Sequence, residues 1–117
     1  MLFRSPLIAG SKSVEYSAHI IPEGGWNSLP TLHGAGILVA GDAAQMVNPS
    51  HREGSNLAMA AGRMAGETVI EAKALGDVSA ASLASYRRRL EESFVLRDLK
   101  KYQHLPEFLD LKVGSGK

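Results

Sequence analysis

Residues 36–41 read Gly-Ile-Leu-Val-Ala-Gly, a continuous apolar run closed by glycine at both ends, and Asp42 follows directly. Unbroken apolar residues are the pattern of a strand buried on both faces, whereas a strand with one wet side alternates. Such a strand must be covered on each face by another layer. The run therefore predicts an α/β fold in which this strand has neighbours on both sides. Asp42 then falls at the carboxyl end of the strand, the edge at which open α/β sheets bind ligands.

The flanking segments supply other elements. Val14, Tyr16, Ala18 and Ile20 alternate with Glu15, Ser17 and His19, the period of a half-buried strand. Pro22-Glu23-Gly24-Gly25 stops it, and residues 26–32 predict a connection in which Pro30 argues against a regular central strand. After Asp42, residues 43–52 are a polar connection containing the turn signal Asn48-Pro49. A helix is expected from Gly54 to about Leu75, capped by Ser55 or Asn56 and ended by Gly76. Its first half is almost all small: Ala58, Ala60, Ala61, Gly62, Ala65 and Gly66. Each interior glycine costs roughly 1 kcal/mol of helix propensity, a cost that close approach of a backbone or a flat ligand would offset. Ser79 predicts the cap of a second helix running through Tyr102, with Leu83, Tyr86, Leu90, Val95 and Leu99 on one face. Pro106 begins an irregular end. Two strands and two helices of this kind leave apolar faces uncovered, so the sequence reads as a piece of a larger fold.

Composition narrows the function classes. With 117 residues there is room for one small domain. A net charge of +1 gives no overall field to draw nucleic-acid phosphates. No apolar run is long enough for a membrane span, and the start lacks a signal-peptide pattern. The absence of cysteine excludes a disulfide framework, fits a reducing compartment, and excludes a thiolate-ligated iron–sulfur cluster on these residues.

The chemistry concentrates in Gly41-Asp42-Ala43-Ala44 and, after Asn48-Pro49, in Gly54-Ser55-Asn56-Leu57. A strand delivers one carboxylate at its end, and the chain then turns into a helix start. Unpaired amides and the positive end of the helix dipole suit an anion or an electron-rich carbonyl. The carboxylate can meanwhile accept hydrogen bonds from a polyol. Both functions are available without a side-chain base.

This block, with Glu53-Gly54-x-Asn56-x-Ala58-Met59 completing it, resembles the second FAD fingerprint of the glutathione-reductase-like flavoproteins. Its flanks are similar to one branch, FixC and the electron-transfer-flavoprotein:quinone oxidoreductases. They are Tyr16-Ser17-Ala18-His19, Ile21-Pro22-Glu23-Gly24-Gly25, His51-Arg52-Glu53, Gly62-Arg63-Met64-Ala65 and residues 92–102. The resemblance covers about residues 6–110 and implies a carboxyl-terminal fragment of an FAD/NAD(P)-binding, Rossmann-like flavoprotein fold, with two long helices after the buried strand. It implies that Gly41, Asp42, Ala43, Pro49, Gly54, Ser55, Asn56 and Leu57 contact FAD. Asp42 would hold a ribityl hydroxyl, and the amides of residues 54–57 would face the pyrimidine end of the isoalloxazine. Gln45 stands where related sequences often have glycine or histidine. No Gly-x-Gly-x-x-Gly occurs, so the ADP-binding part is expected upstream and the chain alone is expected to be inactive.

On this resemblance the parent moves electrons from an electron-transfer flavoprotein, a FixA/FixB-like pair, toward quinone or a ferredoxin-like protein. It would be cytoplasmic or peripheral on the inner face of the cell membrane. Two alternatives stand beside it: a geranylgeranyl-reductase-like flavoenzyme, and a truncated fragment without catalysis or FAD binding of its own. The implied division places a substrate-side strand and loop in residues 6–35 and the FAD-contacting segment in residues 36–76. A helical segment fills residues 77–110 and a frayed tail residues 111–117. Residues 1–5 read as a non-native start, because Leu2-Phe3-Arg4-Ser5 is what a common sequencing adapter encodes.

Other residues carry less. His51 and Arg52 fall beside the expected flavin edge, where a loop or structural role is as well founded as a catalytic one, so no catalytic residue is assigned. His19, His33 and His104 lack metal-ligand spacing, and Trp26 reads as a packing residue near the Gly24-Gly25 turn. Arg87, Arg88, Arg89, Arg97, Lys100 and Lys101, interleaved with Glu91, Glu92 and Asp98, read as a solvated helix face. The alternative for that face is a surface for an acidic ferredoxin-like partner or lipid headgroups.

Overall fold

The computed structural model describes residues 6, 9–18, 20–51 and 53–105. The expected non-native start, the irregular end after Pro106 and the frayed tail lie outside the described residues, as do His19 and Arg52. The fold is α/β: a small two-stranded sheet and three helices.

Strands β1 (His33–Gly34) and β2 (Ile37–Leu38) pair antiparallel, His33 opposite Leu38 and Gly34 opposite Ile37. Ala35-Gly36 joins them, and Gly36 has φ +71°, a left-handed conformation that glycine adopts without a steric penalty. This corrects the expectation of a strand buried on both faces. Only Ile37 and Leu38 of the run are strand, Ile37 is 57% exposed, and Leu38, Val39 and Ala40 are half-buried. The reason is the number of neighbours. β2 has one strand beside it, and no parallel pairing occurs among the described residues.

The alternating segment upstream is corrected in the same sense. None of residues 14–18 or 20 is strand, and Val14, Tyr16 and Ile20 are each at least 94% exposed. Alternation encodes a strand with one dry face, but the ladder needs a partner. No described residues run beside this segment.

Helix α1 (Ser55–Leu75) has nearly the expected span. Its amino end differs: Gly54 is the capping residue and no side chain caps it, so neither Ser55 nor Asn56 takes that role. Both sit inside the helix. Asn56 accepts from the Leu57 amide at 2.9 Å and donates to Glu53 Oε2 at 3.1 Å. The carboxyl end is a Schellman closure. Gly76, at φ +66°, donates to the Lys73 carbonyl at 3.2 Å, and Asp77 donates to Ala72 at 3.1 Å. Asp77 Oδ1 accepts from the Ser79 amide at 2.9 Å, and that bond holds the Asp77 carboxyl below its ordinary range. Ser79 Oγ in turn accepts from Ser82 N and starts α2 (Ala80–Glu92), as expected.

The single second helix is in fact two. At Ser93 the backbone becomes extended (φ −89°, ψ 173°), and α3 (Phe94–Lys101) begins. Ser93 Oγ donates to the Leu90 carbonyl at 2.7 Å and accepts from Val95 N at 3.2 Å, closing one helix and opening the next. The break folds α3 back so that Val95, Leu96 and Leu99 join Leu90, Tyr86, Leu57, Ala61, Met46 and Leu32 in one core. Each buried leucine contributes roughly 2 kcal/mol relative to exposure. Trp26 packs half-buried against the same core from a 3-10 turn at Gly25–Ser28. Arg89 crosses from α2 to α1, bonding Glu67 at 3.0 Å and also Glu71.

Two features aim this core at the residues around Asp42. Tyr86, fully buried on α2, donates from its hydroxyl to the Val39 carbonyl at 2.9 Å and fixes the chain three residues before Asp42. The small face of α1 lies against the turn that carries Asp42: a Cβ on Gly41 would come 3.5 Å from that of Ala58. Gly62 and Gly66 differ, since both are exposed and nothing lies near where their Cβ would be. Close approach therefore explains the first small residues of α1 and not the later ones.

Candidate binding cleft at the Asp42 turn

Asp42 sits in a second 3-10 turn, Gly41–Ala44. Gly41 enters it at φ +67°, and Gln45 leaves it at φ 59°, the sole non-glycine with positive φ among the described residues. The Gln45 amide bonds the Asp42 carbonyl at 2.9 Å and the Met46 amide bonds Gly41 at 3.1 Å, so the turn is closed on itself. Left-handed backbone at Gln45 accounts for the physical suitability of glycine there. Met46 and Val47 then dip into the interior. Asn48 and Glu53 exchange two backbone hydrogen bonds, at 2.7 and 3.2 Å, which bring the chain back to Gly54 and the start of α1. Asn48 is buried; its Oδ1 accepts from Ser50 N at 3.0 Å, while its Nδ2 has no partner among the described residues.

The result is a cleft of about 550 Å³. Asp42 forms one wall, Gly54 and Ser55 with Ala58 the other, Val47 lies between them, and Ile21 and Glu23 complete the rim. A Cβ at Gly54 would stand 3.8 Å from Asp42 Oδ1 and 3.4 Å from Val47 Cγ2, inside the gap between carboxylate and helix start. Glycine keeps that gap open. The Asp42 carboxylate is exposed and takes no hydrogen bond from the described residues. With no capping side chain at α1, and with the Leu57 amide already bonded to Asn56 Oδ1, the Ser55 and Asn56 amides are the donors left at that end.

Of the residues singled out in the sequence, Asp42, Gly54 and Ser55 meet on the cleft. Gly41 is buried behind it, and Ala43 is exposed on the turn outside the lining. Pro49 is half-buried in the return loop, Asn56 is exposed at the helix start, and the Leu57 side chain belongs to the core. Ile21, Glu23, Val47 and Ala58 line the cleft without having been named as cofactor contacts. Ala58 was within reach of sequence reasoning, since it lies one helical turn beyond Gly54 on the same face. Ile21 and Glu23 were not, because nothing local in sequence says that they return to Asp42.

His51 turns to α3: its Nε2 lies 3.2 Å from the Tyr102 hydroxyl, with the rings edge-to-face at 5.3 Å. It is not among the residues lining the cleft. Among the described residues no three His, Cys, Asp or Glu side chains gather as a metal site would require, and no helix is long and apolar enough to cross a membrane.

Asp42, Gly54 and Ser55 facing one cleft mark a candidate binding site of an α/β protein. No protein-family model matches the chain. Individual proteins do. Over 106 residues, 90% of this chain, it is 55% identical to Protein FixC of Bradyrhizobium diazoefficiens, and over 105 residues 56% identical to Protein FixC of Rhizobium meliloti. Protein FixC of Escherichia coli is 54% identical over 108 residues. The chain is similar to FixC proteins over about nine-tenths of its own length. It spans about a quarter of the length of these relatives (24–25%).

Proposed function

We propose that this chain forms part of the FAD site of an oxidoreductase that moves electrons from an electron-transfer flavoprotein toward quinone or a ferredoxin-like acceptor. The observation that carries the proposal is the convergence of Asp42 with Gly54 and Ser55 on one cleft, in a chain whose relatives are FixC proteins. The residues fit a flavin's inner half. Its polyol needs acceptors, and Asp42 offers a carboxylate with no partner among the described residues. Its ring carbonyls need donors, and the Ser55 and Asn56 amides stand at the positive end of α1. Gly54 leaves room between the two, and a cleft of about 550 Å³ is of the size that takes part of a large cofactor.

FAD, when bound, supplies the electron-transfer chemistry. This chain's part is to grip the polyol through Asp42 and to set amides against the ring edge where reduction places negative charge. Amides at that edge favour the reduced ring and raise its potential. The residues present contain no Gly-x-Gly-x-x-Gly and no cysteine. The ADP half of the cofactor and any iron–sulfur relay are therefore assigned to residues or partners outside this chain, and these 117 residues alone are assigned no activity.

The test is to express a FixC-length protein containing this chain and to record its absorption spectrum and flavin content. A flavin-loaded protein is expected, with Asp42→Ala weakening FAD binding about tenfold or more, as loss of a charged hydrogen-bond acceptor requires. A colourless protein, or unchanged FAD affinity in Asp42→Ala, refutes the proposal. Reduction by electron-transfer flavoprotein, set against saturation of a prenyl chain, separates it from a geranylgeranyl-reductase activity.

A further inference from the structure

Charge is unevenly distributed along the chain. Residues 87–101 hold six basic and three acidic side chains, whereas the remaining residues hold seven basic and nine acidic. The fold gathers part of this excess into a groove of about 400 Å³ on the side formed by α2, α3 and the Gly25–Ser28 turn. Its walls are Trp26, Arg87, Glu91, Leu96, Arg97 and Lys100.

The cations in this groove are not equally engaged. Arg87 is bonded to Glu91 at 2.9 Å, which neutralises the acid of the lining. Arg97 donates to the backbone carbonyl of Glu92, and Lys100 lies over the Trp26 ring at 5.6 Å. Neither has a carboxylate within salt-bridge distance among the described residues. The indole is half-buried and its exposed part borders both. Asn27 donates to the Gln103 carbonyl at 3.3 Å and pins the Trp26 turn against the end of α3, so the groove is built by two anchored elements.

We propose that this groove docks an acidic segment of a partner protein, its carboxylates meeting Arg97 and Lys100 and an apolar side chain lying along Trp26. Two features favour a polypeptide. The site is concave, which admits a chain and excludes a flat bilayer. A planar indole beside cations offers the mixed apolar and charged contact found at the centre of protein interfaces. The inference goes beyond the flavin proposal and uses no catalytic assumption: charge and shape carry it.

The experiment uses the FixC-length protein containing this chain and a short fluorescein-labelled peptide of alternating glutamate and leucine as probe. Binding should weaken as salt is raised, and Arg97→Glu with Lys100→Glu should weaken it on the order of tenfold or more. Lys12→Glu with Lys73→Glu, the same change in net charge at exposed positions outside the groove, should leave it unchanged. Both double variants should keep the circular dichroism of the parent. Four outcomes overturn the proposal: no peptide binding; equal loss in the two double variants; phosphatidylglycerol vesicles binding as tightly as the peptide; or Lys100 shielded from amine acetylation in the folded protein, which would mean that the groove is covered from within.

Discussion

Replacing Tyr86 with phenylalanine removes one oxygen from the interior and nothing else. That oxygen donates to the Val39 carbonyl at 2.9 Å from a side chain with no exposed surface. Near neutral pH the loss of this bond, with a carbonyl left poorly satisfied, should cost about 1–2 kcal/mol. The same burial pushes the Tyr86 phenol up to about 12. An unfolded tyrosine titrates near 10, so between the two values the unfolded chain gives up a proton that the folded chain keeps. Stability from this group is therefore complete below about pH 10 and is lost as pH rises toward the folded value, by at most roughly 3 kcal/mol. Tyr86→Phe has no such loss. Urea denaturation of the 117-residue chain and the variant, followed by circular dichroism from about pH 8 to about pH 11.5, should show the native chain ahead at the lower pH and the gap closing as pH rises. Every other group is common to the two proteins and cancels in the difference. A gap that stays constant across the range would refute the argument that burial, rather than the hydrogen bond alone, governs this phenol.

Gln45→Gly should stabilise the chain by about 0.5–1 kcal/mol, since it relieves a left-handed residue at some cost in unfolded-state entropy. A lower urea midpoint in this variant would show that the glutamine side chain contributes more than the strain. Ser93→Ala removes the oxygen that both closes α2 and caps α3, and should cost about 1 kcal/mol by thermal denaturation. An unchanged melting temperature would show that packing of Leu96 and Leu99 sets the corner without the serine.

How far the sequence disclosed this fold depended on whether a segment's partners lay close to it. Helix α1 could be bounded nearly to the residue because its stop signal, Gly76 after Lys73, acts within one turn. Ser79 was legible for the same reason. The α2–α3 corner left a trace that spacing alone did not settle: Leu83, Tyr86 and Leu90 recur every three or four residues, and then Val95 comes five later. Apolar periodicity failed where its premise, a facing layer, is not met by the described residues. Val14, Tyr16 and Ile20 alternate as a strand should and stand in the open, and Ile37 looks outward from a run that reads as interior. In the candidate site, Asp42, Gly54 and Ser55 were legible because a closed turn and a short bridge keep them near one another. The contribution of Ile21 and Glu23 depends on a long-range return that no local signal announces.

That five-residue step bears on which parts of the chain can change length. An α-helix turns about 100° per residue, so one residue added to or removed from the Ser93 corner would rotate α3 by that angle about its own axis. Val95, Leu96 and Leu99 would leave the core together, and Lys100 would swing off Trp26. A loop can absorb an insertion because nothing beyond it depends on phase, and the exposed residues 11–18 are of that kind. The corner at Ser93 carries phase. Its length is fixed as tightly as any side chain in the core.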